Sequence, residues 1–379
     1  MHKRILVIPD SFKDSISSNE FCNIAKTVIQ KIDDTTVVDC IPIGDGGEGS
    51  LESFKLIKDF TFKTMLVNNP INELVKAKYC INKKEKTGII ELAQASGIQL
   101  VAKEFRNPTK TTSYGTGELI AKAISDGMVK IILFVGGSAT NDVGIGMLDA
   151  LGFFFSDSKN KKLKASVKNL SKISKIGKSP IYDNIKKIKF IVACDVDNPL
   201  IGPNGATQIF GKQKGASDEE IYELEEKVIH FSKIVTKELK TDYTKHKGAG
   251  AAGGVGFAAL SFFNAEFEGG FELISKLLNL KDKIKKANYD YIITGEGCID
   301  EQTQHGKLIK HLGLLGLKYS TPVIAFTGKL KKDLSILNLP GITVANQITP
   351  KNISISSAIK NTSKNLDRAL MIQMSELLK

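Results

Sequence analysis

Arginine is nearly absent from this chain of 379 residues: Arg4, Arg106 and Arg368 are the whole supply, although lysine and arginine together number 53. The formal charge of +12 raises nucleic-acid binding as a first hypothesis. Bidentate reading of phosphates and bases recruits arginine, however, and base stacking needs aromatic residues interleaved with the cations. The densest basic stretch, 158–189, offers lysines, with Asp183 as its one acid and no such interleaving. A solvated lysine surface that attracts small anions is expected, and no nucleic-acid partner.

Cysteine is also scarce. Cys22, Cys40, Cys80, Cys194 and Cys298 are scattered, odd in number and without C-x-x-C spacing, which excludes a disulfide framework and a cysteine zinc site. The five histidines form no H-x-x-x-H pair, so a metalloprotease-type centre is excluded too. No apolar run approaches the ~20 residues that span a bilayer. The run Ile5–Ile8 stops at Pro9-Asp10, too short for a signal peptide, so no membrane partner and a cytoplasmic location are expected. The sequence says nothing about oligomeric state.

What remains is an ordinary globular composition, 42% apolar and 25% charged, at a length that favours two domains. Ile5–Ile8 reads as a buried strand, and Ser17-x-x-Glu20 as the capping box of a helix with one apolar face from Phe21 to Ile32. A strand over 36–43 leads into Gly44-Asp45-Gly46-Gly47-Glu48-Gly49 and a helix near 50–57. The same grammar returns late: a strand over 289–293 before Thr294-Gly295-Glu296-Gly297, another over 323–326 before Thr327-Gly328, a third at 342–345, and a helix over 353–378. Strand–loop–helix units at both ends predict one doubly wound parallel sheet built from both termini. The middle has unevenly spaced strands, a hairpin-like or irregular segment at 68–81, and long helices near 218–239 and 271–280. It reads as a second α/β domain, residues 71–284, inserted into a discontinuous first domain of residues 1–70 and 285–379.

Several strands run straight into glycine-rich loops, which suits phosphate binding. Gly177-Lys178-Ser179 lacks the first glycine of a Walker loop, and H-R-D and D-F-G are missing. Gly248–Gly253 matches G-x-G-x-x-G but follows a polar segment rather than a strand, so it suits a loop or helix start beside an anion better than a dinucleotide fold. Gly136-Gly137-Ser138-Ala139-Thr140-Asn141-Asp142 does follow a strand, and its backbone and hydroxyls suit phosphates, with a capped tight turn as the alternative. Asp195-Val196-Asp197-Asn198-Pro199 places two carboxylates beyond a strand end, one to accept a hydroxyl proton and one to hold Mg²⁺, with an Asx turn as the alternative. Asp45, Glu48, Glu296 and Asp300 are acids in comparable loops, each equally open to a capping role, and Lys13 and Lys307 are cations placed to meet a carboxylate or phosphoryl group. The residues themselves point to phosphoryl transfer without naming the acceptor.

Taken in order, these segments resemble the bacterial glycerate kinase family, of the glycerate 2-kinase type. Pro9–Lys13, Asp45–Gly49, Thr111–Glu118, Gly136–Asp142, Ala193–Leu200, Gly202–Ala206, Gln213–Ala216, Gly248–Gly256 and Thr294–Lys307 carry the resemblance across essentially the whole chain. It departs at Asp14, Asn68-Asn69-Pro70, Val143 and Ile145, and in the lysine-rich stretch. The resemblance implies a Rossmann-like domain made from both termini with an inserted α/β domain, and an ATP-dependent kinase for D-glycerate acting most naturally at the 2-hydroxyl. The expected assignments are Asp195 as base with Lys13 and Lys307 beside it, and Ser11, Asp45, Asp197 and Asn198 on the substrate. Gly136, Gly137, Ser138, Thr140, Asn141, Gly253, Gly254 and Glu296 are expected on the nucleotide, and Asp197 and Asp300 on Mg²⁺. A kinase for another small hydroxy acid, or one acting at the 3-hydroxyl, is the alternative; a lysine-rich anion-binding protein without catalysis is the rival from another class.

Overall fold

The computed structural model describes residues 2–12, 15–44, 49–55, 57–178, 185–300, 303, 308–331 and 339–378. The chain is α/β, with a Rossmann-like parallel sheet contributed by both termini and a second α/β unit inserted between them. Residues 1–45, 52–56 and 271–379 form the first compact unit, and residues 46–51 and 57–270 the second.

In the first unit the described strands run in the order Ile342–Gln347, Val323–Leu330, Tyr291–Ile299, Arg4–Val7 and Val37–Cys40, every neighbouring pair parallel. Ile5, Leu6 and Val7 are wholly buried, as a central strand covered on both faces requires. The helix Ser18–Ile32 starts on a complete capping box, Ser17 accepting from Glu20 N while Glu20 accepts from Ser17 N. Its Phe21, Ala25, Val28 and Ile29 share one core with Leu366, Leu370 and Met374 of the helix Thr362–Leu377.

Some expected boundaries move. Thr294–Gly297 and Thr327-Gly328 are strand rather than loop, because the parallel pairing continues through Gly295↔Phe326 and Glu296↔Thr327 to Ile299↔Leu330. Gly295 is there for room: a Cβ would lie 2.6 Å from the Phe21 ring and 2.7 Å from the Phe326 carbonyl oxygen. The helix expected over 50–57 is a 3₁₀ segment, Ser50–Phe54. The helix expected over 271–280 breaks at left-handed Asn279 into Gly270–Leu277 and Leu280–Ala287. The final helix breaks at Asn361 into Ile355–Lys360 and Thr362–Leu377.

The second unit's larger described sheet has the order Glu266–Glu268, Lys189–Ala193, Lys130–Phe134, Thr87–Glu91, Leu74–Asn82, Thr61–Asn68. Its first four strands are parallel, and the last two form a long antiparallel hairpin joined to Thr87–Glu91. That hairpin corrects the expected junction near 70. Thr61–Asn68 pairs along its whole length with Leu74–Asn82, so it belongs to the inserted unit, and the units meet in sequence near 57 and 270 rather than 70 and 285. A small antiparallel sheet, Lys162–Leu163, Phe153–Ser156 and Lys175–Lys178, carries much of the lysine-rich stretch. Phe153 and Phe155 point into the core while Phe154 is exposed, the period of two that a half-buried strand shows.

Candidate active site

The strands Lys130–Phe134 and Lys189–Ala193 lie side by side and parallel, with Phe134 opposite Ala193. The segments that follow them therefore leave the same sheet edge, the carboxyl edge where α/β proteins bind ligands. After the first strand, Gly137 turns the chain with φ 74° and its carbonyl accepts from Ile98 N at 2.9 Å. Ser138 bridges Gly97, and Ala139 N donates to Ser96 O at 2.9 Å. Gly136, Gly137 and Ser138 keep solvent access, whereas Thr140 and Asn141 are buried. Thr140 Oγ1 donates to Ala252 O at 3.4 Å and Asn141 Nδ2 to Thr207 Oγ1 at 3.0 Å, so both side chains brace the interior.

Next along the chain, Asp142 is buried inside a set of donors. Oδ2 accepts from Ser113 N and Ser113 Oγ, each at 2.8 Å, and from Gly146 N at 3.2 Å, while Oδ1 accepts from Gly144 N at 3.1 Å. Burial raises its pKa above the ordinary carboxylate value, against the pull of those donors. The helix Ala251–Phe263 closes on this loop through left-handed Ala252, Gly253 and Gly254. A Cβ on Gly253 would lie 2.0 Å from Thr140 O, and one on Gly254 would lie 2.8 Å from Val143 Cα. Gly253 and Gly254 are thus buried packing positions against the Gly136–Asp142 loop, not an open helix start.

Beyond the second strand the chain stays at the surface. Asp195, Val196 and Asp197 are exposed. Asp195 Oδ1 accepts from Gly270 N at 2.8 Å, which fixes the direction of the carboxylate. Asp197 pairs with Lys247 at 2.8 Å in an exposed salt bridge that raises the Lys247 pKa. Asn198 Nδ2 donates to Asn204 O at 2.9 Å, and Asn198 O accepts from Gly250 N at 2.9 Å. The glycine segment that begins at Gly248 therefore touches both strand-end loops, Asn198 and Pro199 at Gly250, and Thr140 and Asn141 at Gly253. Asp195, Asp197, Asn198, the Gly136–Asn141 loop, Gly253 and Gly254 are brought together in one unit.

Lys214 is the group that sequence reasoning passed over. It ends the 3₁₀ segment Lys212–Lys214, is 5% exposed, and donates from Nζ to Thr140 O at 2.7 Å and Ser138 Oγ at 2.9 Å. Burial pulls its pKa down to about 7, with Asp142 pulling the other way. In a chain so rich in lysine, composition does not distinguish a buried lysine from a solvated one; the hints are the small residues Gly215 and Ala216 beside it and the place of Gln213–Ala216 among the segments that carry the resemblance.

The first unit holds its own group of acids. Glu296, inside the strand Tyr291–Ile299, accepts from Thr303 Oγ1 at 2.7 Å. Asp300 is buried, donates from its N to Thr303 Oγ1 at 3.1 Å, and pairs with Lys331 at 2.9 Å. Ser11 is half-buried, with its N–H on Asp10 Oδ1 at 2.6 Å. Lys13, Asp45, Glu48 and Lys307 lie outside the described residues. Among the described residues no group of three or more His, Cys, Asp or Glu side chains forms a ready-made metal cage. Nor is any described helix long and apolar enough to cross a membrane.

A sequence model of the glycerate kinase family matches residues 5–377 of this chain. The chain belongs to the glycerate kinase family. This kinase is 39% identical to a glycerate kinase of Bacillus cereus over 364 residues, covering 96% of this chain and 95% of the relative. It is 37% identical to the glycerate 2-kinase of Escherichia coli over 366 residues, with 97% and 96% covered. A crystal structure of a Salmonella typhimurium protein provisionally named glycerate kinase 2 superimposes with a TM-score of 0.83 at 33% identity, covering 100% of the kinase and 99% of that chain.

Proposed function

We propose that the protein transfers the γ-phosphoryl group of MgATP to the 2-hydroxyl of D-glycerate, giving 2-phospho-D-glycerate and ADP, in the cytoplasm. The observation that carries this reading is Asp195: in a member of a kinase family, an exposed carboxylate stands at a strand's carboxyl end with one oxygen pinned by Gly270 N. A carboxylate so oriented suits acceptance of a hydroxyl proton as the phosphoryl group arrives. The Gly136–Ser138 turn, shaped from behind by Thr140, Asn141, Gly253 and Gly254, receives nucleotide phosphates. Ser11, Asp45 and Asn198 orient glycerate, and Lys13 and Lys307 neutralise its carboxylate or the moving phosphoryl group.

Magnesium, when bound, spreads the negative charge of the transferring phosphate. It commonly takes one or two carboxylates plus phosphate oxygens, so a dedicated protein cage is not required. Asp197 suits that role because its present partner, Lys247, is itself solvent-exposed. Asp300 is the poorer fit: it is buried and already paired with Lys331. A cation that clamps the glycerate carboxylate beside Asp195 presents the adjacent 2-hydroxyl for in-line attack.

The test is a coupled assay with enolase and pyruvate kinase but no phosphoglycerate mutase. D-glycerate and MgATP should yield pyruvate without a lag, and EDTA should abolish it. Pyruvate that appears only after mutase is added would move the reaction to the 3-hydroxyl. No ADP release above background across a screen of divalent ions would end the glycerate reading.

A further inference from the structure

Among the described residues the buried ammonium of Lys214 has neutral oxygens as its hydrogen-bond partners, Thr140 O and Ser138 Oγ. Charged groups nearby are committed elsewhere. Asp142 has both oxygens occupied by four donors from other residues. Lys212 pairs with Asp218 at 2.7 Å, and Arg106, whose carbonyl packs against Gly215, donates from Nε to Val101 O at 3.1 Å. Taking an ammonium out of water without a hydrogen-bonded carboxylate is costly even with Asp142 near, and a scaffold role alone would be met by a neutral donor. Two of its three protons are used, and one of them ends on Ser138, at the solvent-reaching end of the Gly136–Ser138 turn.

We infer that Lys214 is a positioning residue that holds the Gly136–Ser138 turn in shape and supplies, from beneath it, the positive charge that an oxyanion docked on that turn requires. The inference rests on the proposed reading in one respect, that this turn receives phosphoryl or carboxylate oxygens. Before the anion arrives, burial holds the ammonium near pKa 7, so part of the population is unprotonated at neutral pH. An anion overhead favours the charged form, and binding takes up a proton. Asp142, the acid that faces the same interior, has an elevated pKa from burial but bonds to Ser113, Gly144 and Gly146 rather than to Lys214.

Isothermal titration of the full chain near pH 7.5, in two buffers of different ionisation enthalpy, measures that proton. The probes are the magnesium complex of β,γ-imido-ATP and D-glycerate, each added separately, which distinguishes a phosphoryl from a carboxylate oxyanion. The wild type should take up a fraction of a proton with the ligand that docks on the turn and none with the other. Lys214→Met should lose that uptake and weaken the same ligand about tenfold or more, with the effect falling on its KM rather than equally on kcat. Lys214→Arg, always charged, should restore most of the affinity while showing no uptake. No uptake with either ligand, uptake that persists in Lys214→Met, or wild-type affinity in Lys214→Met would each overturn the inference. If Lys214→Met does not fold, uptake that persists in Lys214→Arg would overturn it. Turnover of D-glycerate by the wild type, measured alongside, shows separately whether the substrate reading holds.

Discussion

Two neighbouring strands of one sheet end in opposite ways. After Lys130–Phe134 the chain turns inward, and Thr140, Asn141 and Asp142 are buried in a hydrogen-bonded network beside left-handed glycines. After Lys189–Ala193 it turns outward, and Asp195 and Asp197 stay in solvent, one with an oxygen on the Gly270 N–H and the other in an exposed ion pair. Both stretches look alike on paper, small polar residues and acids beyond a β-branched run. Yet a buried carboxylate bound by four donors cannot leave its place, and an exposed carboxylate oriented by a backbone N–H can meet a substrate while keeping its direction. On the proposed reading, the first loop is the rigid wall of the site and the second is its reactive rim.

That contrast breaks most visibly at Asp142. Asp142→Ala strands the donors of Ser113, Gly144 and Gly146 in the interior and should lower the unfolding free energy by about 3–5 kcal/mol. Urea denaturation would show a large fall in midpoint; an unchanged midpoint would mean that the wall does not depend on its caged acid. Asp195→Asn should do the reverse, lowering kcat on the order of 10²-fold with no loss of midpoint. If KM rises instead at constant kcat, Asp195 is a binding group and not the base.

Lys214 gives the wall a pH signature. Its pKa lies near 7 in the folded protein and 10.5 without burial, so between those values the unfolded chain binds more protons and stability rises with pH. The denaturation midpoint of the wild type should therefore gain more between pH 7 and pH 9 than that of Lys214→Met; parallel curves would contradict the buried charge. The smallest effect belongs to the rim. Asp197→Asn breaks only an exposed ion pair, so the midpoint should hold while the Mg²⁺ concentration for half-maximal rate rises several-fold. Unchanged Mg²⁺ dependence would remove Asp197 from the metal.

Much of the frame was legible because it is written in local patterns. Ser17-x-x-Glu20 starts its helix where the capping box says, and Asp218–Leu239 is a helix over the expected span. Boundaries slipped where distant partners decided them. Thr294–Gly297 carries turn-like glycines, but pairing with 326–327 extends the strand through them. The segment 68–81 reads as hairpin-like or irregular, and its pairing with Thr61–Asn68 and its membership of the inserted unit through Thr87–Glu91 depend on partners outside it.

The sequence by itself determined the α/β class, the order of strand-end loops and the family to which those loops belong, since each is a matter of residue type and spacing along the chain. Only the tertiary structure decided which polar residues face water. Thr140, Asn141, Asp142 and Lys214 are interior, and Asp195 and Asp197 are not. The reason is physical: a side chain's hydration depends on what other segments stack above it, here Ser113, Thr207 and Ala252, which lie from 29 to 112 residues away from their partners Asp142, Asn141 and Thr140.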